Sequence, residues 1–280
     1  MRSNLEIFDL GTDRVEAVLS VSFLIEAPNW MPDDGSLIVN GDGRLYRVPL
    51  DAPALNAIDT GVLSRINNDH GVAPDASLLA VSDNSDGGKS CIYTISVEGG
   101  RPRRITEATP SWWHGWSPDG GQFAYTAVRN GGFCIATCAT DGSGEAIVIG
   151  GPHHYDGPDY SPDGEWIWFN SDRGGNMQLW RVRPDGRDPQ KMTEDAGVNW
   201  FPHPSPDGRH VLYLAYAPGT AGHPSGRDVE LRLLECATGQ VRPLVALYGG
   251  QGTINVPCWS PDSQRFAFMR YEREDGRLGN

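Results

Sequence analysis

Residues 160–194 read YSPDGEWIWFNSDRGGNMQLWRVRPDGRDPQKMTE, and this stretch carries nearly all of one structural unit. It opens on Ser-Pro-Asp-Gly. The proline presets φ for a tight turn, the aspartate can bond the backbone two residues on, and the glycine accepts positive φ. EWIWFNSD follows with the alternation and aromatic content of a β-strand. LWRVRP supplies a second strand and QKMTE a third, weaker one. With the short strand that precedes the turn, the unit has four strands.

The same unit recurs on both sides. Aligned on the turn proline, the chain contains EAPNWMPDDG (26–35), NNDHGVAPDA (67–76), SWWHGWSPDG (111–120), YDGPDYSPDG (155–164), NWFPHPSPDG (199–208) and INVPCWSPDS (254–263). The marker prolines Pro32, Pro74, Pro118, Pro162, Pro206 and Pro261 are spaced by 42, 44, 44, 44 and 55 residues. A repeat of this period with four strands per copy predicts a propeller. The last unit runs out after two strands, INVPCW and RFAFMRY, while LEIFDL and RVEAVLS near the N-terminus lack partners. The expectation is therefore an all-β, six-bladed β-propeller of four-stranded antiparallel blades, forming one domain over residues 1–280. Its closing blade would combine residues of about 4–20 with 250–273, which removes free sheet edges. The polar tail after Glu272 is expected to be mobile.

The succession of an apolar or aromatic residue, Ser-Pro-Asp-Gly, an apolar strand, Leu-Trp and Met-Thr resembles the TolB-like propeller repeat, also called the WD40-like PD40 repeat. The resemblance extends over essentially the whole chain and implies fold more strongly than function. Proteins with this repeat include a periplasmic partner-binding protein of the cell envelope, propeller domains of prolyl-peptidase-like enzymes, and a metal-dependent oligogalacturonate lyase. This sequence departs from the first in its opening residues, which read as neither a secretory signal nor an additional domain. It departs from the second in having no G-x-S-x-G nucleophile motif.

Composition narrows the partners. A formal net charge of −13 disfavours nucleic acid and anionic membranes, which call for a basic face. No run approaches the roughly 18 apolar residues of a membrane span. The opening MRSNLEIFDLGTDRVEAVLS has acidic residues where a signal peptide needs an apolar core. The five cysteines, Cys91, Cys134, Cys138, Cys236 and Cys258, are odd in number and widely spread, and Cys134 and Cys138 lie in an alternating strand. They read as buried thiols in a reducing compartment, and a cytoplasmic location is expected.

A site is expected at one mouth of the channel, where the segments entering each innermost strand converge. Four residues before the markers stand Pro28, His70, His114, Pro158, Pro202 and Pro257, and His203 follows one position later in its unit. His153 and His154 lie just upstream in the fourth unit, so five of seven histidines fall in this region. Imidazoles and carboxylates from separate strands can bind a polar ligand, act as acid and base, or hold a metal. The candidate ligand-binding residues are Glu26, Asp69, His70, Trp113, His114, His154, Tyr155, Asp156, Trp200, His203 and Asn255. A divalent metal ion is the one cofactor considered, on His70, His114 and His203. The alternative for the histidines is hydrogen bonding between blades.

Trp30, Trp116, Tyr160 and Trp259 recur in register and read as inter-blade core, whereas Trp112, Trp113, Tyr155 and Trp200 are off that register and better placed for binding. The long fifth interval inserts PGTAGHPSGRDV (218–229), with His223, Arg227 and Asp228, on the same face as a lid or recognition loop. Arg129 and Arg173 are candidates for pairing with an acidic substrate. These features support binding of a small polar molecule, such as a saccharide, or of a protein segment at the mouth. The alternative is a carbohydrate-active lyase or hydrolase using a histidine and carboxylate site, with or without a metal. No complete catalytic signature decides between them.

Overall fold

The computed structural model describes residues 2–273, apart from the side chain of Asp86, and is all-β. The expected mobile tail therefore lies almost wholly outside the described residues. Six blades of antiparallel strands form a ring. The fourth is representative, with Tyr155–Tyr160 innermost, then Ile167–Ser171, Gln178–Val182 and Gln190–Lys191. The innermost strands of the first, second, third and fifth blades are Ile25–Trp30, Ile66–Val72, Ser111–Trp116 and Val198–Pro204.

The sixth blade is built from both parts of the chain. Arg265–Tyr271 pairs with Ser3–Asp9, which pairs in turn with Arg14–Val21. Its innermost strand is reduced to a single bridge, Trp259 with Phe266. Leu5 is fully buried at this junction, and the Glu6 carboxylate accepts from the Arg270 guanidinium at 2.9 Å.

The marker turns explain the repeat. In the fourth blade Ser161 Oγ donates to Asp163 Oδ1 at 2.6 Å, and the same carboxylate oxygen accepts from Glu165 N at 3.0 Å. Ser161 Oγ also accepts from Trp166 N at 2.9 Å. The two short side chains thus satisfy amides that the strands leave unpaired. The position two after each marker proline has positive φ in all six copies, as Asp34, Ala76, Gly120, Gly164, Gly208 and Ser263. Glycine removes the strain in three of them.

Between blades, the aromatics in register form the core and also bond across it. Trp116 Nε1 donates to Gly71 O at 3.2 Å, and Trp259 Nε1 donates to His203 O at 2.9 Å. Cys134 and Cys138 are buried free thiols. No helix among the described residues is long and apolar enough to cross a membrane.

Candidate functional site

Irregularities in the innermost strands create the site. In the first, fourth and fifth blades the ladder slips by one residue, between Glu26 and Asn29, Asp156 and Asp159, and Trp200 and His203. The residue inside each bulge is left-handed, at Ala27 (φ 52°), Gly157 (φ 60°) and Phe201 (φ 56°). A bulge bends the strand and re-aims its side chains, and Glu26, Asp156 and Phe201 all line one cavity. In the third blade His114 is itself the extra residue, between the Trp113–Tyr125 and Gly115–Ala124 pairs. In the second blade pairing lapses between Ile66 and His70, releasing Asn67, Asn68 and Asp69 to the cavity.

The cavity has a volume of about 470 Å³ and draws on all six blades, with Gln251 and Asn255 coming from the sixth. Three histidines surround one carboxylate. Asp156 Oδ1 lies 3.3 Å from His114 Nε2, while Oδ2 lies 3.4 Å from His154 Nε2 and 3.6 Å from His223 Nε2. Thr126 Oγ1 and Gly157 N also donate to Oδ1, each at 2.8 Å. Burial pushes the Asp156 carboxyl upward, but the histidine contacts outweigh it and hold the group well below its ordinary value. Burial likewise opposes protonation of His114 and His223, yet Asp156 beside them raises both.

Two other carboxyls face the cavity with weaker support. Glu26 is raised by burial, which exceeds the effect of Asn40 and Asn68 donating to it at 3.3 and 3.5 Å. Asp69 is 6% exposed, and its carboxylate accepts no hydrogen bond among the described residues. Burial pushes it up to about 6, against the nearby charge of His114. Part of the wall is aromatic. Trp112 stacks on Phe133 at 6.2 Å between ring centroids, Phe133 meets His154 at 4.2 Å, and Phe201 meets His223 at 5.2 Å.

Of the residues expected here, Glu26, Asp69, His114, His154, Asp156 and Asn255 come together in the cavity. His70, Trp113, Tyr155, Trp200 and His203 do not line it. His70 has returned to the ladder opposite Val81, is fully buried with Nε2 3.5 Å from Ile38 O, and is pushed down to about 4 by that burial. His203 bridges blades, with Nδ1 3.1 Å from Asp159 Oδ2 and Nε2 2.6 Å from Ile254 O.

The aromatics divide in the same way. Trp113 is fully buried under Gly71, where an added Cβ would stand 2.1 Å from its ring. Tyr155 packs on Phe169, at 6.1 Å. Trp200 is buried behind the wall, its ring 4.4 Å from His223 and 5.7 Å from His154, so it supports two imidazoles from outside the cavity. His153 is turned outward, 3.6 Å from Asp172.

The trio His70, His114 and His203 is therefore not assembled as a ligand set, because two of its members direct ring nitrogens at backbone carbonyls. Among the described residues no group of three His, Cys, Asp or Glu side chains has a metal-holding arrangement. Arg129 is not available to a substrate either. Its guanidinium donates to both Glu145 carboxylate oxygens, at 2.8 and 2.7 Å, and Arg173 lies over the Trp180 ring.

The long loop does reach the mouth. His223 lines the cavity and bonds Gln251, and Tyr216 Oη donates to Pro224 O at 3.2 Å. Residues that sequence reasoning passed over are Asn67, Thr126, Phe133, Phe201 and Gln251. Thr126 had a signal in the repeat, since Asn40, Ser82, Thr126 and Asn170 all stand eight after a marker and all bond an innermost strand.

The site is thus a polar and aromatic pocket at the mouth of a propeller. The profile of the TolB β-propeller domain (PD40) matches residues 115–225. An uncharacterized protein of Agrobacterium fabrum, Atu1656, is 46% identical over 272 residues, covering 97% of this chain and 93% of its own. A solved TolB-type structure from Agrobacterium tumefaciens is 46% identical with a TM-score of 0.95, covering 98% of this chain and 99% of that one. The chain belongs to the TolB β-propeller family. Oligogalacturonate lyase in complex with manganese shares the fold alone, at a TM-score of 0.58 and 12% identity over 87% of this chain and 67% of its own.

Proposed function

We propose that this protein binds a small polar ligand in the mouth pocket. The observation that carries the reading is the convergence of side chains from all six blades on one cavity of about 470 Å³. That volume lies in the range of roughly 300–1,000 Å³ typical of small-molecule sites. A lining that combines aromatic rings with hydrogen-bonding groups suits a ring-bearing molecule such as a saccharide. The Asn255 side chain is 1% exposed, and its Oδ1 accepts from Gly252 N at 2.6 Å. Its amide nitrogen donates to no protein group among the described residues and can meet an acceptor from the cavity.

Titration calorimetry with mono- and oligosaccharides, small amines and short peptides tests the proposal. Binding should occur with the small molecules and weaken about tenfold or more in Asp156→Asn, which removes the carboxylate that orients His114, His154 and His223. Saturable binding of peptides alone would assign the mouth to a protein segment instead.

A second reading, lyase or hydrolase chemistry on a carbohydrate, is favoured by one observation. Asp156 is held well below its ordinary value while nearby Asp69 is pushed up to about 6, so neighbouring carboxyls are driven toward different protonation states. Product release from any bound saccharide, abolished in Asp69→Asn, is the outcome that reading requires.

A further inference from the structure

We infer that the ligand of the mouth pocket carries a positively charged ammonium group, seated between Glu26 and Asp69 with its body against Trp112 and Phe133. This rests on the binding role proposed above and names the chemical class of the occupant.

The first ground is an imbalance of charge with a definite location. Three carboxylates line the cavity, and no lysine or arginine among the described residues does. The three histidines make their carboxylate contacts with Asp156, although His114 and His223 also lie near enough to Asp69 to lower it. Among the described residues Glu26 receives only amide donors, from Asn40 and Asn68.

The second ground is independent of the charge count. Asp69 is 94% buried by its 6% exposure, yet its carboxylate accepts no hydrogen bond among the described residues and borders the cavity. A carboxylate on the wall of a cavity that its own fold supports so weakly is a seat for a donor from the ligand. A donor that is itself charged answers that need best, because charge-assisted hydrogen bonds are about twice as strong as neutral ones.

The aromatic wall agrees with this assignment. Ring faces attract cations, and ammonium ligands are commonly held between carboxylates and aromatic rings. A carboxylated or phosphorylated ligand would instead meet Glu26 and Asp69 without a guanidinium or lysine to compensate.

The affinity should also depend on pH with a stated sign. The titratable groups facing the cavity are Glu26, Asp69 and Asp156, with His114, His154 and His223. Acidification neutralises the two raised carboxyls, and that removes the negative charge a cation needs. Binding should therefore weaken as pH falls through about 6, the value at which Asp69 takes up its proton.

Two matched series test the inference by calorimetry on the full chain near neutral pH. One comprises glucosamine, glucose and glucuronate; the other comprises benzylamine, benzyl alcohol and benzoate. The expected result is that the ammonium member of at least one series binds about tenfold or more tightly than its neutral counterpart, with the anion weakest. Asp69→Asn and, separately, Glu26→Gln should reduce that preference to less than about threefold. Equal or tighter binding of the neutral or anionic members would overturn the inference and leave the binding role standing. Absence of binding by every member of both series would overturn the two together.

Discussion

His114 Nε2 and Asp156 Oδ1, carried by the innermost strands of neighbouring blades, lie 3.3 Å apart in the mouth pocket. The contact exists because each residue stands at an irregularity of its strand. Asp156 is shifted down and His114 up, so both favour their charged forms.

Stability should follow pH accordingly. The lowered Asp156 contributes stability that is present above the unfolded carboxyl value of about 3.9 and lost as pH falls through its lower native value. The raised His114 contributes stability that is full below about 6.5 and lost as pH rises through its higher native value. The pair should therefore stabilise most between about pH 4 and 6.5. Asp156→Asn should lower the His114 value, because burial is then opposed only by Asp69 and the Asn255 backbone, and cost about 2–4 kcal/mol near pH 6. NMR titration of His114 and urea denaturation at several pH values check this. An unchanged His114 titration in the variant would contradict it.

Asp69→Asn should act in the opposite direction. A carboxyl raised to about 6 loses stability for the fold as pH climbs from about 4 to 6, since the native state holds its proton longer. Replacing it with a neutral isostere should stabilise the protein by about 1–3 kcal/mol at pH 8 and by nothing measurable at pH 4. Thermal denaturation at the two pH values is the measurement. A loss of stability at pH 8 would mean that Asp69 has a stabilising partner.

Two histidines should separate architecture from site. His203→Ala leaves Asp159 and the Ile254 carbonyl without their imidazole, and should cost about 3–5 kcal/mol. His154 is partly exposed at the cavity, and His154→Ala should cost about 1 kcal/mol or less while changing ligand affinity. Urea denaturation of both variants checks the ranking, and equal costs would remove the distinction.

Gly157→Ala tests whether the bulge positions Asp156. The site has φ +60°, and an added Cβ would stand 2.8 Å from Asn170 Oδ1. Strain in a left-handed residue and the close contact together should cost about 1–3 kcal/mol. The His114 titration should move back toward its ordinary value as Asp156 is displaced. A variant with reduced stability but an unaltered His114 titration would show that the bulge is not what aims Asp156.

The architecture was legible because the turn chemistry repeats locally. Ser161 and Asp163 meet within four residues of each other, so Ser-Pro-Asp-Gly announces its structure without tertiary information. The site was legible only in part, because it depends on where ladders slip. His70 and His114 occupy the same position relative to their markers, yet one is paired opposite Val81 and the other is the unpaired bulge residue. Trp112 and Trp113 are adjacent, but strand alternation sends one to the cavity and the other to the core. Phe201 gave no signal, since a bulky residue in left-handed backbone is not foreseeable from its type.

The most direct test of the mouth pocket is side-chain NMR of the histidines during titration with the sugar and amine series. Binding there should shift the imidazole resonances of His114, His154 and His223 and leave those of His70 and His203 unmoved. Shifts confined to His70 and His203, or saturable binding that moves none of the five, would contradict the account.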